Sequence, residues 1–315
     1  MAEAPANKYY WKSNKLRNHS NMMPNSFRAL IVGRSGCGKT SLLMRLLLED
    51  HILDYNKLFV FGKSLHQPEY QILKAGFENN LDKPHIIDIL SENEEINDLN
   101  ENPEVIAQAL SHELDDDEKG NISVTFYENG CDVPDPKEFN KNDKNLIIFD
   151  DVMCDKNQSS AQSFYTRARH NNVDCIYIAQ NYYKLDRQTI RSNANLMIFF
   201  KLSPKDVDHV FYDSDASTDF NNIFEFREFC KKSWNNSYGF IVIDKDKSDL
   251  NNRYRNQLEL VKDEPKVITD EPKVIKDEPK LRATKVCEIC KKEILSSSFA
   301  KHCKSKAHSF KRGTS

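Results

Sequence analysis

Eight residues near the start of the chain, GRSGCGKT at 33–40, constrain its fold more than any other feature. They fit the pattern G-x4-G-K-[ST] without a mismatch. The apolar run RALIV precedes them, and the apolar stretch SLLMRLLL follows. A strand, a glycine-rich turn and a helix in this order are typical of loops whose backbone N–H groups converge on phosphate oxygens. The segment therefore predicts an α/β domain that binds a nucleoside triphosphate.

The residue types in this loop suit a triphosphate with its magnesium ion. Glycines avoid Cβ clashes with the phosphates, and the N-terminus of the following helix adds partial positive charge. Lys39 is expected to neutralise the β- and γ-phosphates, and the Thr40 hydroxyl to ligate Mg²⁺. The predicted nucleotide-binding residues are Gly33, Ser35, Gly36, Cys37, Gly38, Lys39, Thr40 and Ser41. The alternative interpretation is a chance glycine-rich turn.

Two carboxylates follow a second apolar run, LIIFDD at 146–151. At the end of a neighbouring strand, Asp150 would hold Mg²⁺ directly or through water, and Asp151 would orient or deprotonate the attacking water. Turn-forming aspartates at a strand end are the ordinary alternative. A third run, CIYIA at 175–179, ends at Gln180, which would lie beside the γ-phosphate.

Hydrolysis also requires positive charge on the transition state, often from an arginine of a neighbouring subunit. The candidates are Arg167, Arg169, Arg187 and Arg191. Each could equally be an ordinary arginine on a helix surface, and the residue pattern does not choose among them.

Short apolar runs alternate with amphipathic stretches through most of the chain, as expected for buried parallel strands and their covering helices. The predicted strands are 28–32, 58–61, 146–149, 175–179, 196–200 and 239–243, and the predicted helices are 40–48, 161–170, 204–212 and 220–233. The fold class is α/β, with a mainly parallel sheet. Residues 1–24 are interpreted as a flexible leader, 25–246 as the nucleotide-binding domain, and the acidic and polar stretch 92–145 as an insertion.

The ordered motifs resemble the FtsK–HerA superfamily of DNA-pumping ATPases. The phosphate loop, LIIFDD, ARHNNVDCIYIAQ and TIRSNANLMIFFKLSPKD occur in the order found in that superfamily. Within this superfamily, the motifs most resemble those of poxvirus-type packaging ATPases, which giant viruses, virophages and Polinton (Maverick) transposons also carry. The resemblance covers roughly residues 25–245. A RecA-like fold, ATP and Mg²⁺ as cofactors, and a homo-oligomeric ring, commonly a hexamer, on double-stranded DNA are what the resemblance implies.

The resemblance also suggests roles for individual residues. Gln180 matches the family's sensor glutamine, and Arg169 and Arg191 occupy its arginine positions, one of which would act in trans. Asp151 stands where many relatives have the longer glutamate. No DNA-gripping loop matches a known pattern, and the leader does not resemble a membrane anchor.

The C-terminal part of the chain has a different composition. Residues 263–280 repeat DEPKVI(T/K), and a proline in every heptad excludes a coiled coil. Together with its mixed charge, this predicts that 247–281 is a disordered linker. Residues 281–315 carry a net charge of +7 in a chain whose net charge is −3. Such a basic tail suits a polyanion, although a merely solubilising tail is the alternative.

Four metal-ligand residue types close the chain as Cys287-x2-Cys290-x11-His302-x5-His308. Two thiolates and two imidazoles at such spacing predict a tetrahedral Zn²⁺ site within 282–312, a small ββα-type finger. The spacing resembles matrin-type Cys2His2 fingers. Cys303 offers a rival to His302, and free cysteines in a disordered tail are the alternative. A finger that binds protein also stays possible.

Three functions follow from these patterns. The first is an ATP-driven DNA translocase that packages a viral or transposon genome, tethered to nucleic acid by its finger, with capsid proteins as further candidate partners. The second is a helicase-like NTPase on the same core, and the third a nuclear zinc-finger protein derived from such an ATPase. The scattered cysteines indicate a reducing compartment. The nucleus is favoured, with virion or cytoplasm as alternatives, and no apolar run suggests a membrane partner.

Overall fold

The computed structural model describes residues 18–95, 103–114, 119–152 and 159–258, together with the backbone of two short strands at 284–286 and 293–295. The chain divides into two units, Met1–Lys262 and Asp263–Ser315. Nearly all of the described residues belong to the first unit.

One eight-stranded sheet organises the first unit. Its strands are β1 (Arg28–Val32), β2 (Lys57–Gly62), β3 (Ser123–Tyr127), β4 (Asn145–Asp150), β5 (Val173–Ala179), β6 (Leu196–Phe200), β7 (Phe240–Asp244) and β8 (Tyr254–Asn256). They lie in the order β3-β2-β4-β5-β1-β6-β7-β8. The first six positions are parallel, and β7 runs antiparallel to both β6 and β8. The chain reverses its direction across the sheet at β1, so the loop after β1 lies at a topological switch point, where ligands of such folds bind.

Helices cover both faces of the sheet. They are α1 (Lys39–Leu48), α2 (Pro68–Glu78), α3 (Lys83–Glu95), α4 (Pro103–Glu113), α5 (Ser159–Arg167), α6 (Pro204–Asp213), α7 (Ala216–Asp219), α8 (Ile223–Trp234) and α9 (Leu250–Arg253). Alternate strand residues face opposite layers, so that Ala29 and Ile31 join the core with α1 and α2, and Leu30 and Val32 join the core with α5, α6 and α8. None of the helices in the described ranges is both long and apolar enough to cross a membrane.

The six predicted strands and four predicted helices are all present, with ends that shift by at most a few residues. Two helices differ from the prediction, and the first difference has a clear physical reason. The helix predicted over 220–233 begins at Ile223, because the Asn222 side chain accepts hydrogen bonds from the N–H groups of Phe224 and Glu225 and caps the helix there. The helix predicted over 161–170 tightens into a 3-10 turn from Ala168 to Asn171 before it ends.

The stretch 92–145, interpreted above as an insertion, contributes to the sheet. Within it lie α4 and β3, and β3 pairs in parallel with β2 as the edge strand. Its alternation of exposed and half-buried residues differs from the continuous apolar runs of the central strands, because an edge strand is less covered. At least this part of 92–145 therefore belongs to the core domain.

The domain extends beyond 25–246 at both ends. Met22 and Met23, within the expected leader, are buried in the core. The buried carboxylate of Asp174 lies 2.9 Å from the His19 ring and also accepts a hydrogen bond from the Phe27 N–H. After residue 246 the chain adds α9 and β8, and Arg255 of β8 donates to the Met22 carbonyl. Residues 18–24 and 247–256 are therefore packed parts of the domain.

In the second unit, β9 (Thr284–Val286) and β10 (Glu293–Leu295) form an antiparallel pair. The zinc ligands predicted from the sequence, Cys287, Cys290, His302 and His308, lie outside the described residues, as do Cys303 and the DEPKVI(T/K) repeat.

Candidate nucleotide site

The phosphate loop has the backbone geometry that its glycines permit. Gly36 and Gly38 have φ values of +71° and +97°, in the left-handed region that residues with a Cβ rarely adopt. A Cβ on Gly33 would come within 2.6 Å of both the Cys37 Sγ and the Phe200 Cβ. The Lys39 Nζ donates to the carbonyl oxygens of Gly33 and Arg34, at 2.9 and 2.8 Å. The lysine is thus held against the loop that would surround a phosphate.

The register of the parallel strands brings the two predicted acids to the same edge as this loop. Asp150 ends β4 opposite Ile178 of β5, and the Asp151 N–H donates to the Ile178 carbonyl. Val32, the last residue of β1, lies opposite Ala179 of β5. The phosphate loop and the acids therefore end on either side of β5, as expected for their roles.

Asp150 is a buried carboxylate that accepts a short hydrogen bond from a described tyrosine. The hydroxyl of Tyr70, itself fully buried on α2, donates to Asp150 Oδ2 at 2.6 Å. Burial raises the pKa of Asp150 and the neighbouring Asp151 charge raises it too, while the Tyr70 hydrogen bond and Lys39 act in the opposite direction. A cation close to this carboxylate would relieve the cost of its burial.

Asp151 has an unusual backbone conformation and contacts the predicted sensor. Its φ is +51°, in the left-handed region that aspartate tolerates better than most residues. Gln180 Nε2 lies 3.3 Å from both carboxylate oxygens of Asp151. Such local strain at a strand end is a common feature of functional sites. The pair forms a polar cluster at the carboxyl ends of β4 and β5.

These groups line one cavity of about 420 Å³. Its lining residues are Ser35, Gly36, Gly38, Lys39, Thr40, Ser41, Ser64, Gln67, Glu69, Asp150, Asp151, Ile178, Ala179, Gln180 and Tyr238. The structure thus brings together most of the residues predicted from the sequence. Gly33 and Cys37 lie close together in the same loop and are not among the residues that line the cavity.

The two predicted arginines lie outside this cavity. Arg169 is exposed in the turn before β5. It therefore lies where β5 begins, whereas the nucleotide cavity lies where β5 ends. Arg191 is buried in a π-helical turn before β6, with its Nη1 2.9 Å from Asp213 Oδ2 and its guanidinium over the Tyr182 ring. Neither arginine reaches the nucleotide site of its own chain, and only Arg169 presents its side chain at the surface.

Several cavity residues were not predicted from the sequence. Ser64, Gln67 and Glu69 come from the turn between β2 and α2 and the start of that helix, and Tyr238 precedes β7. The available signal was the β2 strand itself, since Gly62 pairs with Asp150 and so places the following turn at this edge. Glu69 adds a third carboxylate near the site, and it is a further candidate for activating water.

The donor set suits a magnesium ion that is brought by a nucleotide. Thr40 and Asp150 offer oxygen ligands, which Mg²⁺ prefers, and burial of the carboxylate favours a bound cation. Within the described ranges no group of three or more His, Cys, Asp or Glu side chains could hold a metal. Phosphate oxygens and water would have to complete the coordination, as is usual for Mg²⁺ at nucleotide sites.

The loop, the paired acids and the strand order define this domain as a P-loop NTPase fold. The family model described as "Poxvirus A32 protein" matches residues 14–276. The chain therefore belongs to the Poxvirus A32 protein family, which confirms the poxvirus-type relationship suggested by the motifs.

The chain is also similar, at low sequence identity, to several solved structures. The DNA-packaging ATPase B204 from Sulfolobus turreted icosahedral virus has 16% identity and a TM-score of 0.42, over 70% of this chain and 93% of that chain. The genome packaging NTPase B204 from Sulfolobus turreted icosahedral virus 2, in complex with AMPPCP, has 13% identity and a TM-score of 0.40, over 71% and 95%. VirB4 of Thermoanaerobacter pseudethanolicus has 9% identity and a TM-score of 0.40, over 74% and 90%. No curated protein matched the chain.

The contact between Tyr70 and Asp150 generates a prediction. In Tyr70→Phe the buried carboxylate loses its donor, so its pKa rises further and its ligand orientation is no longer fixed. We expect about a tenfold higher Mg²⁺ concentration at half-saturation of nucleotide binding, the usual size for a hydrogen bond to a charged group. Fluorescent nucleotide titrated with Mg²⁺ measures this midpoint.

Tyr55→Phe provides the matched control. Tyr55 is another buried tyrosine, but its hydroxyl donates to the Leu47 carbonyl, away from the acids. The two variants should lose similar stability, and only Tyr70→Phe should shift the Mg²⁺ midpoint. Identical Mg²⁺ titrations for both variants would contradict the positioning role of Tyr70.

Proposed function

We propose that this protein is an ATP-hydrolysing motor that translocates double-stranded DNA to package a viral or virus-like transposon genome. One observation carries the ATPase part: Lys39, Thr40, Asp150, Asp151 and Gln180 line a single cavity at the switch point of the sheet. Membership of the Poxvirus A32 protein family and the ordered FtsK–HerA motifs support the packaging part.

Each side chain has a definable part in hydrolysis. The loop amides and Lys39 bind the β- and γ-phosphates. Thr40 and Asp150 would hold a magnesium ion, which would supply positive charge to the phosphate oxygens. Asp151 accepts a proton from the attacking water, and Gln180, in contact with Asp151, orients that water. The shorter aspartate in place of glutamate leaves Glu69 as the competing base.

The arrangement of the nucleotide site argues against the third alternative, a zinc-finger protein whose ATPase activity has been lost. A protein that used only a zinc finger would have no reason to retain a buried carboxylate with a hydroxyl partner, because burying a carboxylate is costly to the fold even when it is hydrogen-bonded. The helicase-like alternative shares the same site and differs in its product, separated strands. Experiments with duplex DNA can therefore distinguish a helicase from a translocase, whereas the geometry of the nucleotide site cannot.

We assign the trans-acting arginine to Arg169. Arg191 is held by a buried ion pair with Asp213, and releasing it would leave the buried carboxylate with only the largely exposed Arg187, 3.4 Å away, as its cationic partner among the described residues. Arg169 is exposed and can reach a neighbouring subunit without such a cost. The proposal includes a ring of identical subunits, which the family resemblance favours.

We further propose that the basic C-terminal segment is a zinc finger that tethers the motor to nucleic acid. In its support, β9 and β10 pair on either side of Cys287 and Cys290 in the sequence, as in a ββα finger. The net charge of +7 suits contact with phosphates. A nucleoprotein partner makes the host nucleus the favoured location, with the virion or cytoplasm as alternatives.

Hydrolysis measurements on the assembled, zinc-loaded chain test the ATPase. Wild type should hydrolyse ATP, faster with duplex DNA present. Lys39→Ala should lose triphosphate binding, whereas Asp151→Asn should bind ATP normally and lose at least about 100-fold in kcat, typical for a missing general base. Asparagine tolerates the left-handed backbone at 151, so the fold should persist.

Glu69→Gln is the matched control for that experiment. It removes the other candidate carboxylate of the cavity and should change kcat only a few-fold. If Glu69→Gln loses hydrolysis and Asp151→Asn does not, the base is Glu69. If the wild-type protein does not hydrolyse ATP, with or without DNA, the proposed function is wrong. Separation of the DNA strands would favour the helicase.

Mixed rings test Arg169. Arg169→Ala alone should lose at least about 100-fold in kcat, as for other trans-acting arginines, with ATP binding unchanged. Mixing it with inactive Lys39→Ala should restore part of the activity, because some interfaces then join an intact site to an intact Arg169. Arg167→Ala, an exposed neighbour that contacts Asp135, is the control and should stay active. No recovery on mixing would exclude the trans role.

Elemental analysis of the full chain tests the finger. We expect about one zinc ion per chain, retained in Cys303→Ser and lost in Cys287→Ser and His302→Ala. Loss in Cys303→Ser with retention in His302→Ala would assign the rival ligand. Zinc-free wild type would exclude the finger while leaving the ATPase proposal intact.

A further inference from the structure

An aromatic side chain stands at the surface beside the phosphate loop without a role in the mechanism above. Tyr238 is 70% exposed, although it lines the nucleotide cavity. A Cβ built on Gly38 would lie 3.2 Å from the Tyr238 Cδ1, so the ring lies against the turn that leads into α1. An exposed ring at the rim of a polar cavity offers a flat apolar face to a ligand.

The backbone under this ring is tightly constrained. Tyr238 has a φ of +57°, which is costly for a bulky residue. The next residue is Gly239, where a Cβ would overlap the Ser233 carbonyl oxygen. The Gly239 N–H donates to the Asn236 carbonyl and closes the turn. The backbone that carries the ring is therefore held in a costly conformation, which fixes the direction in which the Tyr238 side chain leaves the turn.

The same turn is connected to the phosphate loop by packing. Phe240, which follows Gly239, contacts Phe200 with ring centroids 5.3 Å apart. Phe200 in turn packs against Gly33 and lies near Gly38. Two buried rings thus fix the distance between the backbone of the Tyr238 turn and the phosphate loop. A ligand whose phosphates occupy the loop would meet the Tyr238 face at a defined position.

We propose that Tyr238 stacks on the purine base of the bound nucleotide and that this contact makes the affinity of the site depend on the base. The inference rests on the proposed nucleotide site and goes beyond it by naming what holds the base. Every base presents a π-face, and that of a purine is larger than that of a pyrimidine, so Tyr238 favours adenine and guanine nucleotides over pyrimidine nucleotides and does not separate the two purines. Tyr238 is thus a binding residue for the base and takes no part in hydrolysis.

Calorimetric binding of two probes, Mg·ATP and Mg·tripolyphosphate, tests this with the full chain. Tyr238→Asn removes the ring and keeps a residue that tolerates the left-handed backbone. We expect its ATP affinity to fall about tenfold, typical for loss of one base–aromatic stack, and its tripolyphosphate affinity to remain unchanged. Tyr238→Phe keeps the ring and should bind both probes like wild type.

The control is Tyr212→Ala, which removes a similarly exposed ring on α6 that does not line the cavity. It should bind both probes like wild type. Equal ATP affinity in Tyr238→Asn and wild type overturns the inference, and so does an equal loss for both probes, which would mean a damaged phosphate loop. A wild-type chain that binds tripolyphosphate but gains nothing from a base also overturns it. Failure of wild type to bind either probe refutes the nucleotide site itself.

Discussion

The register of three adjacent parallel strands is the constraint on which the rest of the site depends. β5 lies between β4 and β1, and its hydrogen bonds set Asp150 opposite Ile178 and Val32 opposite Ala179. A slip of one residue would turn every side chain of a strand to the opposite layer. Since both faces of these strands are buried under helices, such a slip would disrupt two cores at once. The packing that stabilises the sheet therefore also holds the loop and the acids together.

Burial gives the acidic side of the site its chemical character. A carboxylate in a poorly solvated position is costly, and among the described residues the neutral donor Tyr70 and the nearby Lys39 charge compensate Asp150. Asp151, one residue later, leaves the strand with a left-handed backbone and contacts Gln180. Two neighbouring carboxylates thus have different environments. The more buried one suits a cation, and the other suits contact with water.

Local patterns were sufficient to predict the central strands, the phosphate loop and the polar residues at strand ends. Lys39, Asp150 and Gln180 were predictable because each follows a strong apolar run closely, and parallel strands end at one edge. Tyr70 and Tyr238 were not, because each reaches the site through a contact between elements far apart in the chain. The edge strand β3 was missed for a related reason: half-exposed residues give no continuous apolar run.

The two arginines at the motif positions, Arg169 and Arg191, have different surroundings in the structure. Both occupy motif positions before a strand, yet they differ in burial and partners. Arg191 anchors the turn before β6 to α6 through Asp213 and lies over Tyr182, so it holds together the segment that carries the chain from β5 to β6. Removing one partner of such a buried pair costs more than the pair contributes, because the other charge stays buried. An arginine with that structural duty is poorly suited to leave its pocket in each catalytic cycle, whereas the exposed Arg169 has no such constraint from burial.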